Sequence, residues 1–117
     1  MKIFGKHFAT AVALAGVMAT LGSNVAHASC TSIGCTATIK QLVVNATGNV
    51  LIDMEGTDSP GNCTLSGGKY IEMALSNDNR KALYSMLLAS YLAAKTVAIR
   101  TVDGTGTCTV LWGAAPN

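Results

Sequence analysis

The amino-acid sequence predicts a mainly β domain with one α-helix, placed behind a secretory signal peptide. Three observations support this prediction. Short segments rich in β-branched residues are separated by glycine-containing turns, whereas residues 80–95 have the apolar spacing of a helix. In addition, the chain of 117 residues holds four cysteines, and an even number of cysteines in a small exported domain is typical of a disulfide framework.

Residues 1–28 have the three parts of a signal peptide. Two lysines precede an apolar run at residues 9–21, which is too short for a stable membrane anchor, and a small-x-small cleavage site ends at Ala28. We therefore expect cleavage after Ala28 and export of a bacterial protein to the periplasm or the medium. The mature protein, residues 29–117, is expected to be a single small disulfide-stapled domain.

The mature domain loses both histidines and the excess of basic charge with this leader. The net charge of +2 belongs to the whole chain, whereas residues 29–117 hold six basic and six acidic side chains. Nucleic acid is not an expected partner, because binding to phosphates needs clustered positive charge. No apolar run in the mature chain reaches the roughly 20 residues that span a bilayer, so we expect no membrane span there. Without histidine, we expect no catalytic residue, no cofactor and no metal site.

The four cysteines all lie in the mature domain, at Cys30, Cys35, Cys63 and Cys108. In an oxidising compartment they are expected to form two disulfides, for which three pairings exist. We favour Cys30–Cys35 as a local link and Cys63–Cys108 as a long one, which would stabilise the fold by roughly 4 kcal/mol through chain entropy. A four-cysteine zinc site is the alternative, although the spacing lacks two Cys-x-x-Cys knuckles.

Strand and turn signals follow one another through the first half of the mature domain. Residues 37–46 are rich in β-branched side chains, residues 47–49 predict a tight turn, and residues 50–55 alternate along the strand, which together predict a hairpin. Residues 63–65 and 69–75 are candidate strand segments, each preceded by a loop rich in glycine and polar residues, and the order of elements given below counts them as one strand.

The helix is predicted over residues 80–95, after a cluster of capping residues at positions 76–79. A broad apolar face of this helix is expected to be buried. That face consists of Leu83, Leu87 and Tyr91 and, beside them, Tyr84, Leu88 and Leu92. A strand at residues 96–102 and a last strand at residues 107–112 follow, separated by a glycine-containing turn, and residues 113–117 are expected to fray.

The resulting order of elements is β-β-β-α-β-β. A helix between the third and fourth of five strands fits an OB-like five-stranded antiparallel barrel, in which the helix closes one end. The alternative is an open antiparallel sheet packed against one helix.

Two segments of the mature domain resemble a known family. The run ALYSMLLASYLAAKTVAIR, residues 82–100, forms a tyrosine-bearing helix and a Val-x-Ile strand, and TIKQL and IDMEG, within residues 38–56, flank an early hairpin turn. Together they resemble the binding subunits of subtilase cytotoxin, over most of the mature chain. The resemblance implies an OB-type fold, export, assembly into a homo-oligomeric ring and a glycan-binding surface on the barrel.

The resemblance also implies where a ligand would bind. In that family, sialylated glycans are held by polar residues before the first strand, by the loop after the second strand and by a tyrosine after the helix. The corresponding hydroxyls here belong to Thr31, Ser32 and Thr36, and the corresponding loop is residues 57–59. The third region, residues 101–106, contains no tyrosine.

The predicted ligand-binding residues are therefore Thr57, Asp58, Ser59 and Trp112. The first three are the polar side chains of the loop and would fix the orientation of sugar hydroxyls. Trp112 is the single tryptophan of the chain, and its indole ring could stack on the apolar face of a sugar.

One pair of carboxylates is open to two interpretations. Asp53 and Glu55 are two residues apart on a predicted strand and so share a face. They could act as an acid–base pair, or they could form a solvated face that pairs with Lys40 or Arg100.

The sequence thus predicts an exported, non-catalytic binding protein that recognises glycans in the manner of a toxin binding subunit. The alternative is a periplasmic or secreted protein-interaction module, such as an inhibitor or an envelope component, without a small ligand. The expected partner is accordingly a glycan or a protein.

Overall fold

The computed structural model describes residues 29–76 and 78–116 of the chain. In this part the protein is a mainly antiparallel sheet with one helix. The elements, in chain order, are β1 Ser29–Thr31, β2 Gly34–Val44, β3 Asn49–Met54, β4 Ile71–Ala74, α1 Asp78–Leu92, β5 Thr96–Thr101 and β6 Val110–Ala114. The predicted signal peptide, residues 1–28, lies outside the described residues.

The long strand β2 organises the sheet. The strand order is β4-β3-β2-β5-β6, with β1 paired to β2, and every ladder between these strands is antiparallel. Residues 34–38 of β2 pair with β5, and the part from Ile39 onward pairs with β3. Lys40 is the extra residue of a β-bulge in the β2–β3 ladder. Because a bulge bends its strand, β2 can serve both halves of the sheet.

The two outer strands approach each other at single backbone contacts. The amide of Glu72 on β4 donates a hydrogen bond of 2.9 Å to the carbonyl of Cys108, just before β6. Glu72 also forms an isolated parallel bridge with Thr109. No ladder joins β4 to β6 in the described residues, so the sheet is open. The antiparallel sheet with one helix is confirmed, whereas the closed OB-like barrel is not.

The hydrophobic core lies between the sheet and α1. It is built from alternate strand positions, one helix residue and Cys108, which precedes β6. Its buried members are Ile39, Val50, Ile52, Ile71, Met73, Leu87, Val97, Ile99, Cys108 and Val110. On β4 the predicted alternation is confirmed, because Ile71 and Met73 are buried while Glu72 and Ala74 are not.

α1 buries only part of its predicted apolar face. Leu87 is fully buried, and Leu83, Tyr84 and Tyr91 pack against the core as partly buried side chains. Leu92 is 76% exposed, so its prediction as part of the buried face is wrong. The helix ends at this residue and the chain reverses through Ala94, whose φ is +52°, before β5 begins.

One prediction of a short strand is wrong, and one short strand is not predicted. Residues 63–65 do not form a strand, because Thr64 makes only an isolated bridge to Thr107. Conversely, the sequence does not predict β1, whose three residues pair with the start of β2. β1 is too short and too polar to show a periodic pattern. The turn at residues 32–33, which brings β2 beside β1, has no residue composition that would predict a turn.

The last strand lies later than predicted, at Val110–Ala114 instead of residues 107–112. Gly113 and Ala114 are therefore paired with β5 and not frayed. A Cβ at position 113 would lie 3.0 Å from Cδ1 of Leu83 on α1. The glycine therefore allows the strand to continue beneath the helix at close range.

Two disulfides connect the elements. Cys30–Cys35 links facing residues of β1 and β2, and Cys63–Cys108 links the segment after β3 to the segment before β6. This is the favoured pairing, and it leaves no free thiol for a four-cysteine zinc site. The disulfides are compatible with an oxidising, exported location. In the described part of the chain, no helix has the length and apolar character needed to cross a membrane.

Candidate functional site

One depression of the surface lies where β3 ends and β4 begins. We call it the Asp53 cleft, and its volume is about 370 Å³. Its polar lining consists of Lys40, Asp53, Thr57, Asp58 and Lys69, and its apolar lining includes Ile52, Leu65 and Ile71. The cleft therefore offers two cationic and two anionic side chains beside an apolar wall.

Asp53 is the most buried polar side chain of this cleft, with 7% of the residue exposed. Nζ of Lys69 lies 3.7 Å from its Oδ2, and this is the one ion pair within the described residues. The predicted pairing of Asp53 with Lys40 or Arg100 is therefore wrong. A buried carboxylate is stabilised by hydrogen-bond donors, and one distant ammonium leaves most of its acceptor capacity free.

Glu55 does not join Asp53. β3 ends at Met54, and Glu55 lies beyond it as an exposed residue. The strand therefore ends one residue earlier than predicted, and of the two carboxylates only Asp53 lines the cleft.

Lys69 is held beside the cleft by the turn that precedes β4. Its Nζ lies 5.2 Å from the centroid of the Tyr70 ring, and the Tyr70 hydroxyl donates to Oε1 of Gln41 at 3.3 Å. Gln41 itself pairs with Asp53 across the β2–β3 ladder. The sequence gives no sign of this arrangement, because Lys69 and Asp53 meet only through the fold.

The predicted loop residues lie at this cleft. Thr57 and Asp58 line it and are exposed, whereas Ser59 is exposed but is not part of the lining. The next residue, Pro60, is buried and anchors the loop. The loop is also tied to the β1–β2 turn, because the amide of Asn62 donates to the carbonyl of Ser32 at 2.9 Å.

Trp112 lies in a different depression, which we call the Arg100 groove. The groove has a volume of about 230 Å³ and runs over β1, β2, β5 and β6. Trp112 is 47% exposed there, and the hydroxyl-bearing Ser29, Thr31 and Thr36 share the groove with Arg100. The structure therefore does not bring Trp112 together with the predicted loop residues.

Arg100 also lines this groove, whereas the sequence predicts for it only a pairing with a carboxylate. A signal for its position is present in the sequence, because TVAIRT alternates and Val97 and Ile99 are apolar. Arg100 must then lie on the opposite face from the core, with Ala98. What the sequence does not contain is the identity of its neighbours across the sheet.

The chain was compared with protein-family models, with curated proteins and with solved structures, and no match was found.

Proposed function

We propose that this chain is an exported, non-catalytic binding protein that recognises a glycan, as the binding subunit of a subtilase cytotoxin-like toxin does. The observation that supports this most is the position of the Thr57–Asp58 loop. The loop borders a cleft of about 370 Å³ whose wall contains the buried carboxylate of Asp53. Such a cleft suits a ligand that presents several hydroxyls and an apolar face.

The chemistry of the cleft follows from its side chains. The carboxylates of Asp53 and Asp58 accept hydrogen bonds from hydroxyl groups, and charge-assisted bonds of this kind are the stronger ones. Lys40 and Lys69 donate to hydroxyl or ring oxygens, and Thr57 can do either. The balanced charge favours a polyhydroxylated ligand over a multiply charged one.

The fold is consistent with an OB-like domain that is partly open. An OB-fold is a five-stranded, partly open barrel that binds oligosaccharides in several proteins. The order β4-β3-β2-β5-β6 and the backbone contact between Glu72 and Cys108 support this assignment. The signal-peptide pattern and the two disulfides support export.

The first test is a glycan array probed with the full chain, expressed and purified from an oxidising compartment. We expect specific glycans to bind, and Asp58→Ala and Asp53→Asn to weaken that binding by about tenfold or more, since each removes a charged acceptor. Asp103→Ala, in an exposed turn outside the cleft lining, is the matched control and should bind as the wild type does. Binding that Asp58→Ala and Asp53→Asn both leave unchanged would exclude this cleft as the site.

Ring assembly, which the toxin resemblance implies, is tested separately by native mass spectrometry of the same protein. A closed homo-oligomer would support the toxin-subunit proposal. A monomer that still binds glycans would retain the binding function and remove the ring.

A second candidate function is a protein-interaction module without a small ligand. It is favoured by apolar side chains that remain exposed near the β5–β6 hairpin, namely Val102 and Leu111. Two measurements together distinguish these functions. A stable complex recovered in a pulldown and unaffected by Asp58→Ala, together with an empty glycan array, would favour the interaction module.

A further inference from the structure

The two disulfides have different surroundings. Cys108 belongs to the hydrophobic core and Cys63 packs against it, whereas neither Cys30 nor Cys35 is part of that core. Cys30 is partly exposed on β1, and Cys35, although buried, lines both the Asp53 cleft and the Arg100 groove. The Cys30–Cys35 disulfide therefore lies close to the surface, beside both depressions, while Cys63–Cys108 is packed into the fold.

The short disulfide closes the β1–β2 turn, and the loop of residues 57–62 rests on this turn. The amide of Gly61 donates to the carbonyl of Thr31 at 3.3 Å. The amide of Asn62 donates to the carbonyl of Ser32 at 2.9 Å. A Cβ at Gly61 would lie 3.4 Å from Cα of Ser32, so the two segments pack closely. The loop that borders the Asp53 cleft is thus held by residues that the disulfide encloses.

The other side of the same turn is anchored independently of the disulfide. Thr101 of β5 donates to the carbonyl of Ile33 from its amide at 2.8 Å and from its hydroxyl at 3.1 Å. β1, by contrast, pairs only with β2 in the part of the chain that the structure describes, over three residues of which two are exposed. Segments with few buried contacts open locally at low free energy. The disulfide is therefore the main restraint on β1, whereas Ile33 is fixed without it.

We propose that Cys30–Cys35 is a redox-sensitive disulfide, and that its reduction by a dithiol protein of the thioredoxin class releases the loop of residues 57–62. A thiolate of the reductant attacks Sγ of Cys30, the more exposed of the two residues, and Cys35 leaves as a thiolate that takes up a proton. The second thiol of the reductant then displaces Cys30. The chain gains two electrons and two protons, and the reductant becomes a disulfide.

The consequence for ligand binding rests on the proposed function of the Asp53 cleft. In the oxidised protein the loop is held in place, with Thr57 and Asp58 at the border of the cleft. In the reduced protein, the loop must be ordered again when a ligand binds, and this ordering costs affinity. The disulfide thereby couples the affinity of the cleft to the thiol–disulfide balance of the compartment.

Selective reduction tests the first step. The full chain, purified from an oxidising compartment, is incubated under native conditions with reduced thioredoxin, quenched with an alkylating reagent and mapped by peptide mass spectrometry. We expect Cys30 and Cys35 to be alkylated at least about tenfold faster than Cys63 and Cys108, because a disulfide packed into the core meets a reductant only when the fold opens. Equal rates, faster labelling of Cys63 and Cys108, or no reduction at all would overturn the proposal.

Hydrogen exchange tests the release of the loop without any ligand. In the selectively reduced protein, and in the variant Cys30→Ala/Cys35→Ala, we expect the amides of Gly61 and Asn62 to exchange at least about tenfold faster. The amide of Thr101 is the internal control, since it holds the other side of the turn and should keep its protection. Circular dichroism verifies that the variant folds. Unchanged exchange at Gly61 and Asn62, or equal acceleration at Thr101, would refute the release of the loop.

The glycan array, repeated with the variant Cys30→Ala/Cys35→Ala, separates this proposal from the proposed function. We expect the variant to bind the same glycans about tenfold more weakly than the wild type. If the wild type bound no glycan while the exchange at Gly61 and Asn62 still responded to the disulfide, the redox proposal would stand and the function proposed for the cleft would fail. Equal glycan binding by the wild type and the variant would overturn the coupling and leave the function of the cleft intact.

Discussion

Asp53 and its neighbour Ile52 are both buried, although successive side chains of a strand point to opposite faces. Both faces of β3 are therefore covered at this point, the inner face by the core and the outer face by the residues that border the Asp53 cleft. Lys69 stabilises the carboxylate only weakly, because its Nζ is 3.7 Å away and its side chain is half exposed. A ligand with hydroxyl groups would supply donors that residues 29–76 and 78–116 do not.

Gly34 is a second residue whose environment decides what the position tolerates. A Cβ there would collide with the backbone carbonyl oxygen of Ile99 on the paired strand β5. We expect Gly34→Ala to lower the free energy of unfolding by roughly 1–3 kcal/mol, because relief requires β2 and β5 to separate. Gly106→Ala is the control, since a Cβ at that glycine meets no atom within 4 Å. Denaturant unfolding measures both variants, and equal midpoints would contradict the close approach at Gly34.

The helix α1 contains two leucines that the sequence treats alike and the structure separates. Leu87 is fully buried against the sheet, whereas Leu92 is exposed at the helix end. We expect Leu87→Ala to cost about 2–5 kcal/mol of unfolding free energy, through lost burial and a cavity. Leu92→Ala should change it by about 0.5 kcal/mol or less. Similar losses in the two variants, measured by chemical denaturation, would mean that the helix packs through a different face.

The elements that the sequence predicts well are those whose apolar pattern matches their burial. β4 alternates Ile71 and Met73 with partly exposed residues, and α1 carries Leu83 and Leu87 at helical spacing. β6 differs, because only Val110 of its five residues is buried. The boundaries of β6 are set by its pairing with β5 and by the space that Gly113 leaves for the helix. Neither of these contacts produces a periodic pattern of apolar residues in the sequence.

The sequence predicts the position of a candidate site residue only where that position follows from the order of the elements along the chain. The Thr57–Asp58 loop follows the second predicted strand, and that order alone places it near the strand end. The pairing of Trp112 with Arg100 depends on the β5–β6 register instead, which shifts between Arg100 and Thr101. A shift by one residue would turn Trp112 to the other face, and no local pattern fixes it.

The molecule as a whole depends on how its open edges are held together. The segment from 62 to 66 and the segment from 106 to 108 exchange backbone hydrogen bonds, because Thr64 donates to Gly106 and Cys108 donates to Thr64. The Cys63–Cys108 disulfide joins the same two segments. β4 reaches this junction through the Glu72 amide, so one covalent bond supports the contact between the two sides of the sheet.

The last prediction concerns the two disulfides. Cys63 and Cys108 are separated by 45 residues, and Cys30 and Cys35 by 5. Because a longer loop loses more entropy on closure, we expect the double variant Cys63→Ala/Cys108→Ala to lose about 2 kcal/mol more unfolding free energy than Cys30→Ala/Cys35→Ala. Denaturant unfolding gives both values. Hydrogen exchange adds a local readout, since the Glu72 amide should lose protection in the first variant and keep it in the second. Equal destabilisation with an unchanged Glu72 amide would show that backbone pairing alone holds β4 to the segment before β6.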